Sequence, residues 1–250
     1  MSYSNSGMKA HKFDSEFWRK YFKVYDVLNL CIPYIELKKE FVKYAGAKAG
    51  DRILDAGGGT GNIAVELFKN DADVLLLDFS EEALKICKEK EYGIETIYAD
   101  LSQSLNFEDN YFDGIVSNNV IYTLAKDKRN SVFKEFYRIL KPKGRIIISN
   151  IKYHFSPFAI YKNHILISVS QNGLFKTLAI LVKMIYPTLK MFYYNSLIQK
   201  NNQQGNYSFL SQREQENLLK TNGFTIKLSK LVYADQAVMT IAEKINNICR

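Results

Sequence analysis

A glycine-rich run and the acidic residues that follow it are the part of this sequence best suited to chemistry. Residues 55–61 read DAGGGTG, between an apolar run and a helical pattern that starts at Asn62. Backbone N–H groups of such a loop, beside a helix N-terminus, can hold a ligand at close range. Asp78 follows Gly57 by 21 residues, near the spacing at which one carboxylate accepts both hydroxyls of a ribose. The pattern predicts a nucleotide-type cofactor site, and a further acid, Asp100, ends the next apolar run.

Strand-like and helical patterns alternate around these residues. The predicted strands cover residues 52–56, 74–77, 94–99, 114–117, 145–150, 224–232 and 237–243. The predicted helices among them cover residues 62–70, 80–90, 131–140 and 212–221. Ser80 is the expected N-cap of the second of these helices, and Pro142 and Gly144 are expected to end the third. We expect an α/β, Rossmann-like fold whose seven-stranded, mostly parallel sheet carries helices on both faces.

The chain divides into four predicted parts. Residues 1–45 have an aromatic-rich helical pattern broken at Pro33 and form an N-terminal helical cap. Residues 46–150 form the cofactor-binding core. Residues 151–211 do not follow the alternating scheme and are expected to be a hydrophobic, basic lid insertion. Residues 212–250 complete the core sheet with a terminal hairpin.

Composition and patterning exclude several classes of protein. The three cysteines form no C-x-x-C pair, so we predict neither a metal site nor a disulfide framework. We expect the protein to lie in a reducing compartment, the cytoplasm. The first twelve residues are polar, so no cleavable secretory signal is expected. The longest apolar stretch, residues 174–189, is interrupted by Lys176, Lys183 and Pro187. We therefore expect no membrane-spanning segment, since about 20 apolar residues are needed.

Positive charge is concentrated in one region, residues 136–213, which includes the predicted insertion. The formal net charge is +8, and no acidic residue occurs between Glu135 and Glu214, a window that holds eleven lysines and arginines. One predicted helical face there is apolar and carries Leu174, Leu178, Leu181 and Ile185. Another face is basic and carries Lys176, Lys183 and Lys190. Such a basic amphipathic pattern is typical of a helix packed on its own protein or lying on an anionic membrane. An anionic membrane surface is therefore a candidate partner.

The glycine run resembles motif I of the class I S-adenosylmethionine-dependent methyltransferases, D-x-G-x-G-x-G. It departs from the dinucleotide motif G-x-G-x-x-G, because Asn62 stands where the third glycine should fall. Residues 112–120 and 135–144 resemble the family's fourth strand and its E-x-x-R-V-L-K-P-G-G segment. The sequences GGTG at 58–61, VYDVLN at 24–29 and YSFL at 207–210 are closest in form to the ubiquinone and menaquinone C-methyltransferase group.

The resemblance implies S-adenosylmethionine as the cofactor and S-adenosylhomocysteine as its product. In the family the glycine loop wraps the amino-acid part of the cofactor, a carboxylate at the position of Asp78 holds the ribose, and one at the position of Asp100 takes the adenine amino group. The cofactor-binding residues that follow from this are Asp55, Ala56, Gly57, Gly59, Asp78, Phe79, Asp100, Leu101, Asn118 and Asn119.

Candidates for the acceptor side come from the few side chains able to move or share a proton. Transfer from a sulfonium is an in-line displacement, so the protein mainly positions the reactants and excludes water. A phenol-like acceptor also needs a base. His154 follows the fifth strand, at the sheet edge where such folds bind ligands, and is the preferred base. Tyr25 and Tyr153 are further catalytic candidates, and Tyr122 is a comparable candidate on the acceptor side.

We therefore predict a methyltransferase that acts on a small-molecule or lipophilic acceptor, quinone-like or lipid, in the cytoplasm or at the membrane periphery. An RNA methyltransferase is an alternative suggested by the net charge, although no RNA-binding module is recognisable and nucleic acid is not favoured as a partner. A non-catalytic regulatory protein that binds S-adenosylmethionine is a second alternative, because fold alone does not imply transfer. The sequence leaves the acceptor, the general base and the oligomeric state open.

Overall fold

A seven-stranded sheet forms the centre of the computed structural model, which describes residues 15–203 and 208–245. Its strands are β1 (Arg52–Ala56), β2 (Asp73–Asp78), β3 (Glu95–Tyr98), β4 (Phe112–Asn118), β5 (Leu140–Ile151), β6 (Phe224–Val232) and β7 (Ala237–Lys244). The strand order is β3-β2-β1-β4-β5-β7-β6. All neighbouring pairs from β3 to β5 are parallel, and β7 is antiparallel to both β5 and β6. The predicted Rossmann-like fold is confirmed.

Helices pack around this sheet and extend beyond it. They are α1 (Ser15–Tyr25), α2 (Ile32–Ala45), α3 (Asn62–Phe68), α4 (Glu81–Lys90), α5 (Lys126–Ile139), α6 (Pro157–Gln203) and α7 (Gln212–Thr221), with short 3-10 helices at Asp26–Leu30 and Ile121–Thr123. Ser80 caps α4 as predicted, and its Oγ accepts a hydrogen bond from the Ala83 N–H at 3.3 Å. The inner strands are nearly continuous buried runs, as parallel strands covered on both faces require.

The junction of α5 and β5 differs from the prediction. The helix starts at Lys126 and ends at Ile139, and Leu140 is already extended, so Pro142 and Gly144 lie inside β5 and do not stop the helix. The reason is that a residue before proline is driven out of helical geometry, which extends the chain ahead of Pro142. The strand consequently begins five residues before the predicted start at Arg145.

The predicted insertion contains a helical hairpin. Gly173, inside α6, has non-helical angles of φ 76° and ψ 168°. The Oγ atom of Ser168 lies 2.9 Å from Oγ1 of Thr177, and the Thr188 hydroxyl donates to the Tyr161 hydroxyl at 2.8 Å. These pairs would lie roughly 14 and 40 Å apart along a straight helix. The chain therefore reverses at Gly173, and residues 157–203 form two antiparallel arms, called the hairpin below.

The hairpin also corrects the expectation about membrane-spanning segments. Within the described ranges, one helix, Pro157–Ile198, is long and apolar enough to cross a membrane by length and composition. The reasoning behind the expectation was wrong on composition, because isolated lysines do not break such a window and Pro187 stays inside the helix. The reversal at Gly173 divides this stretch, so it does not form one straight rod. The first twelve residues and Tyr207, which carried other predictions, lie outside the described residues.

Candidate functional site

A cleft opens at the carboxyl ends of β1, β2 and β4. In the strand order, β1 lies between β2 and β4. The strands that follow β1 are therefore added on one side of it up to β3 and on its other side from β4 onward. Open α/β sheets bind their ligands at such a switch point. Nine of the ten cofactor-binding residues predicted from the sequence line the cleft, and they are Asp55, Gly57, Gly59, Asp78, Phe79, Asp100, Leu101, Asn118 and Asn119. The tenth, Ala56, is fully buried, and its carbonyl accepts from the Ser117 hydroxyl at 2.9 Å.

The glycine loop forms the floor of the cleft. The Gly57 N–H donates to the Leu77 carbonyl at 2.7 Å, which ties the loop to the neighbouring strand. Gly57 has φ +74°, and a Cβ placed there would lie 2.5 Å from Cγ2 of Val120. The position therefore needs glycine for two reasons, the positive φ and the close approach of β4's following turn. Gly61 ends the loop as the residue before α3.

Two buried carboxylates lie beneath this loop. Asp55 Oδ2 accepts from the Ala64 N–H at 3.2 Å, and Asp78 accepts from the N–H groups of Gly59 and Ser80, each at 2.9 Å. Burial raises the pKa of Asp55 to about 7, although the Ala64 hydrogen bond opposes the rise. Burial also raises the pKa of Asp78 to about 6, against the hydrogen bonds from Ser80 and Gly59. Both acids are poised to ionise near neutral pH.

A third acid and two apolar side chains line the far end of the cleft. Asp100 is exposed, and its Oδ1 accepts from the Ser102 N–H at 2.8 Å. Leu101 beside it is buried, whereas Phe79, which follows the neighbouring parallel strand β2, is exposed. A carboxylate with flanking apolar surfaces can hold the edge of a flat heterocycle while its faces pack on hydrocarbon.

The turn after β4 supplies polar groups on the other side. Asn118 Oδ1 is buried without a hydrogen-bond partner. Asn119 has φ 60°, and its Oδ1 accepts from the Ile151 N–H at 3.0 Å. An unpaired buried acceptor is costly unless a ligand supplies the donor. Asn118 is therefore suited to receive an N–H group of a bound molecule.

Aromatic residues of α1 also line the cleft, and the sequence-based site did not include them. They are Trp18, Tyr21 and Phe22, all buried. Their rings pack on one another, with centroids of Trp18 and Tyr21 5.4 Å apart. The signal available in the sequence was the i, i+3, i+4 spacing of aromatics through residues 17–25, which marks one buried helix face. The spacing does not indicate which part of the protein this helix face covers.

A polar network joins the N-terminal segment to the glycine loop. Lys90 Nζ donates to Asp26 Oδ1, to the Thr60 carbonyl and to Asn62 Oδ1, each at 2.8 Å. The Thr60 hydroxyl also donates to Asp26 Oδ1 at 2.8 Å. Burial lowers the pKa of Lys90, and the bond to Asp26 opposes that shift. The acidic residue of the segment at 24–29 thus anchors the helices that cover the cofactor cleft.

A second cavity adjoins the cleft. The residues common to both linings are Tyr21, Tyr25, Tyr34, Asn119 and Tyr122. The base of the hairpin closes the second cavity with Pro157, Ile160, Tyr161, Met191, Phe192 and Asn195. The lining is mainly aromatic and aliphatic with a few hydroxyl and amide groups, which is the composition of a site for a lipophilic small molecule.

Tyr25 lies at the junction of the two cavities. The Tyr34 hydroxyl donates to the Tyr25 oxygen at 3.4 Å, and burial raises the pKa of Tyr25 to about 12. A phenol with that pKa remains protonated at neutral pH, so Tyr25 can donate a hydrogen bond but is not prepared to accept a proton.

The other two predicted catalytic residues lie elsewhere. His154 and Tyr153 are exposed, line neither cavity, and pack edge to face with ring centroids 4.4 Å apart. Their catalytic role stays a prediction. His164, by contrast, is buried in the hairpin, where Nδ1 accepts from the Ile32 N–H at 3.2 Å. Within the described ranges, no group of three or more potential ligands is placed to hold a metal ion.

The cleft residues fit S-adenosylmethionine. A carboxylate has room for about four hydrogen bonds, so Asp78 retains acceptor capacity for ribose hydroxyls beyond its two backbone donors. The unpaired Asn118 oxygen can receive an ammonium N–H. Two buried acids also complement a ligand that carries positive charge.

The raised pKa values predict a pH-dependent affinity for such a ligand. Below their pKa values of about 7 and 6, Asp55 and Asp78 become neutral and lose their attraction for a cation. We expect the affinity for S-adenosylmethionine, measured by calorimetry, to fall at least ~10-fold as the pH is lowered from ~8 to ~5. Asp78→Asn should flatten the part of the profile near pH 6. A constant affinity across this range would contradict the assignment.

Comparison with known proteins agrees with this geometry. Residues 54–148 match the family described as "Methyltransferase domain". The ubiquinone/menaquinone biosynthesis C-methyltransferase UbiE of Bdellovibrio bacteriovorus is 34% identical over 139 residues, which cover 51% of this chain and 55% of that protein. The UbiE protein of Photorhabdus laumondii is 29% identical over 179 residues, covering 66% of this chain and 70% of that protein. The chain thus spans about half the length of most of these curated relatives.

A solved structure extends the likeness beyond the matched domain. The 1,6-didemethyltoxoflavin-N1-methyltransferase of Burkholderia thailandensis, which holds 1,6-didemethyltoxoflavin and S-adenosylhomocysteine, superposes with a TM-score of 0.60 at 16% identity. The superposition covers 93% of this chain and 87% of that one, and at this identity it shows a shared fold. Domain match, relatives and fold agree: residues 54–148 match a methyltransferase domain, and the chain is similar in sequence and fold to S-adenosylmethionine-dependent methyltransferases.

Proposed function

We propose that this chain transfers a methyl group from S-adenosylmethionine to a lipophilic, ring-containing small molecule. One observation carries the proposal: the cleft that fits the cofactor adjoins a second, mainly apolar cavity, and five residues line both. A donor and an acceptor bound in adjoining cavities can meet in line, and surrounding side chains exclude water. The relatives are named as C-methyltransferases of ubiquinone and menaquinone biosynthesis and the solved neighbour holds 1,6-didemethyltoxoflavin, which supports a ring-containing acceptor.

The residues at the junction suggest how the acceptor is held. The bound cofactor would supply an electrophilic methyl group on a positively charged sulfur. Tyr25 and Asn119 line both cavities and carry hydrogen-bond donors that can point at an acceptor oxygen. Donation to a phenolic oxygen favours its ionised form, which makes the ring a better nucleophile. Tyr25 is thus an orienting donor in this proposal, consistent with the raised pKa that keeps it protonated.

A lipophilic acceptor bears on where the protein works. Such a molecule partitions into membranes, and the hairpin that closes the second cavity carries much of the chain's exposed apolar surface. We therefore place the protein in the cytoplasm with peripheral association at an anionic membrane surface, and take quinone-like compounds or lipids as the acceptor class.

Labelled methyl transfer tests the proposal. We expect the protein, incubated with methyl-labelled S-adenosylmethionine and cell extract, to place label in the lipid-soluble fraction. Tyr25→Phe should lower the turnover of that reaction about 10- to 100-fold, because one hydrogen bond to a developing charge is lost. Tyr92→Phe, an exposed tyrosine outside both cavities, is the matched control.

The other outcomes distinguish the alternatives. Label in RNA would overturn the acceptor class in favour of an RNA methyltransferase. Tight cofactor binding by calorimetry without label in lipid, RNA or small polar molecules would overturn transfer itself and favour a regulatory protein that binds S-adenosylmethionine.

A further inference from the structure

The hairpin extends its exposed surface beyond the region that packs on the core. The Tyr161–Thr188 contact lies near its base, where Tyr194 also packs on Phe17 of α1 with ring centroids 5.5 Å apart. From Tyr161 to the reversal at Gly173 the first arm rises about 18 Å. Only 11% of the apolar window within this helix is buried. The outer half of the hairpin is therefore held mainly by contacts between its own arms.

The tip of the hairpin is polar where its arms meet and apolar on its outside, whereas farther from the tip the buried side chains include Ile160, Met184, Met191 and Ile198. Near the tip the buried residues are Ser168 and Thr177, which hydrogen-bond to each other, and Asn172 donates to the Ser168 hydroxyl at 3.4 Å. Twelve of the twenty exposed large hydrophobic side chains in the described ranges lie on this hairpin, namely Phe158, Ile165, Leu166, Val169, Leu174, Phe175, Leu178, Val182, Ile185, Tyr186, Leu189 and Tyr193. This is the reverse of a helix pair in water.

That arrangement is the one expected of helices in contact with lipid. When the surroundings are as apolar as leucine, helices associate through small and hydroxyl-bearing residues and turn their large apolar side chains outward. An exposed apolar surface of this size on a protein in water otherwise marks an interaction site. The apolar stripe at Leu174, Leu178 and Ile185 therefore does not serve core packing, since all three side chains are exposed.

The charge of the hairpin selects the kind of partner. It carries Lys162, Lys176, Lys183, Lys190 and Lys200 and no acidic residue. Lys190 lies over the ring of Tyr186 at 4.9 Å, a pairing of basic and aromatic groups suited to the headgroup region. Two hairpins from two copies of the chain would bring like charges together, whereas an anionic surface complements them.

We propose that the hairpin inserts its tip, residues 174–178, into the surface of an anionic lipid bilayer. Lys176 limits the depth, because its ammonium must reach the phosphates, and this sets an insertion of about 5–10 Å. Lys162 and Lys183 lie about 15 Å along the arms from Gly173, at the level of the headgroups. The base of the same hairpin lines the second cavity, so docking brings the acceptor site to the membrane where a lipophilic acceptor dissolves.

Vesicle flotation tests this inference. The protein should float with phosphatidylcholine vesicles that contain phosphatidylglycerol, more weakly as salt is raised, and much less with phosphatidylcholine alone. The double variant Phe175→Ser, Leu178→Ser should bind anionic vesicles about 100-fold more weakly, because two apolar side chains no longer leave water. Both side chains are exposed, at 87% and 57%, so the core is unaffected. Tyr92→Ser, which removes an aromatic ring exposed at 86% elsewhere, should bind as the unchanged protein does.

The readout is independent of methyl transfer. The inference rests on the proposed function. Flotation, however, needs neither cofactor nor acceptor, so a failure of membrane binding is distinguishable from a failure of methyl transfer. Chemical denaturation of each variant, which also needs no cofactor, checks that the fold is retained. Absence of binding to anionic vesicles at low salt, or equal binding by the double variant, would overturn the inference. A dimer in sedimentation that the double variant dissociates, without vesicle binding, would assign the surface to a second copy.

Discussion

Replacing Asp78 with alanine is expected to weaken the binding of S-adenosylmethionine at least about 100-fold. The two ribose hydroxyls would each lose a hydrogen bond to a carboxylate, at roughly 1.5–3 kcal/mol each, and about 1.4 kcal/mol corresponds to a tenfold change in affinity. Calorimetry above pH 7 is the appropriate measurement, because burial raises the pKa of Asp78 to about 6 and the carboxylate is ionised there.

The control for this variant lies on the same strand. Asp73 begins β2 as Asp78 ends it, and its ion pair with Arg52 is exposed to solvent, so Asp73→Ala should leave the affinity unchanged. Asp78→Asn keeps the shape of the side chain and separates lost charge from disturbance of the Gly59 and Ser80 donors. Equal affinities for the Asp78→Ala and unchanged proteins would remove Asp78 from the site.

The second large effect is expected at Gly57. Gly57→Ala should lower the free energy of unfolding by about 3 kcal/mol, from a positive φ that costs an L-residue ~1–2 kcal/mol and from overpacking at ~1–3 kcal/mol. The overpacking arises because the new Cβ would lie 2.5 and 2.9 Å from the two γ-carbons of Val120. Chemical denaturation of the cofactor-free protein measures the change.

Substitution of Gly50 separates the cost of a positive φ from the cost of overpacking. It has φ +85°, and a Cβ added there would meet no other atom within 4 Å, so Gly50→Ala should cost only about 1 kcal/mol, the conformational part. Val120→Ala removes both clashing γ-carbons, and the double variant with Gly57→Ala should be less destabilised than the sum of the single changes by ~1–2 kcal/mol. Strict additivity would show that Val120 is not the obstacle.

Much of the cleft lining could be predicted from the sequence because its signals are local. A buried parallel strand is a short apolar run, and the residue that ends it must lie at the carboxyl edge of the sheet. Asp55, Asp78 and Asp100 each end or follow such a run, so reading the strands also located the acids. The junction at Leu140 was misplaced because helix end and strand start adjoin there without a turn.

The hairpin could not be predicted in the same way. A single glycine in an apolar helical pattern is tolerated at a cost of about 1 kcal/mol, so Gly173 alone does not distinguish a long helix from a reversal. Contacts between the arms decide it, through Ser168 with Thr177 and Tyr161 with Thr188. Those contacts also determine that Leu174 and Leu178 face outward, which periodicity leaves undecided.

The sequence by itself determined the order of the strands along the chain, the acids at their ends and the loop that needs glycine, because each depends on neighbours in the chain. Only the tertiary structure decided that aromatic side chains of α1 cover the cleft, that Tyr25, Tyr122 and Phe192 meet around a second cavity, and that His154 stays outside it. These features depend on packing between segments up to about 170 positions apart. The periodicity of apolar residues shows that a surface is buried but not which other surface covers it.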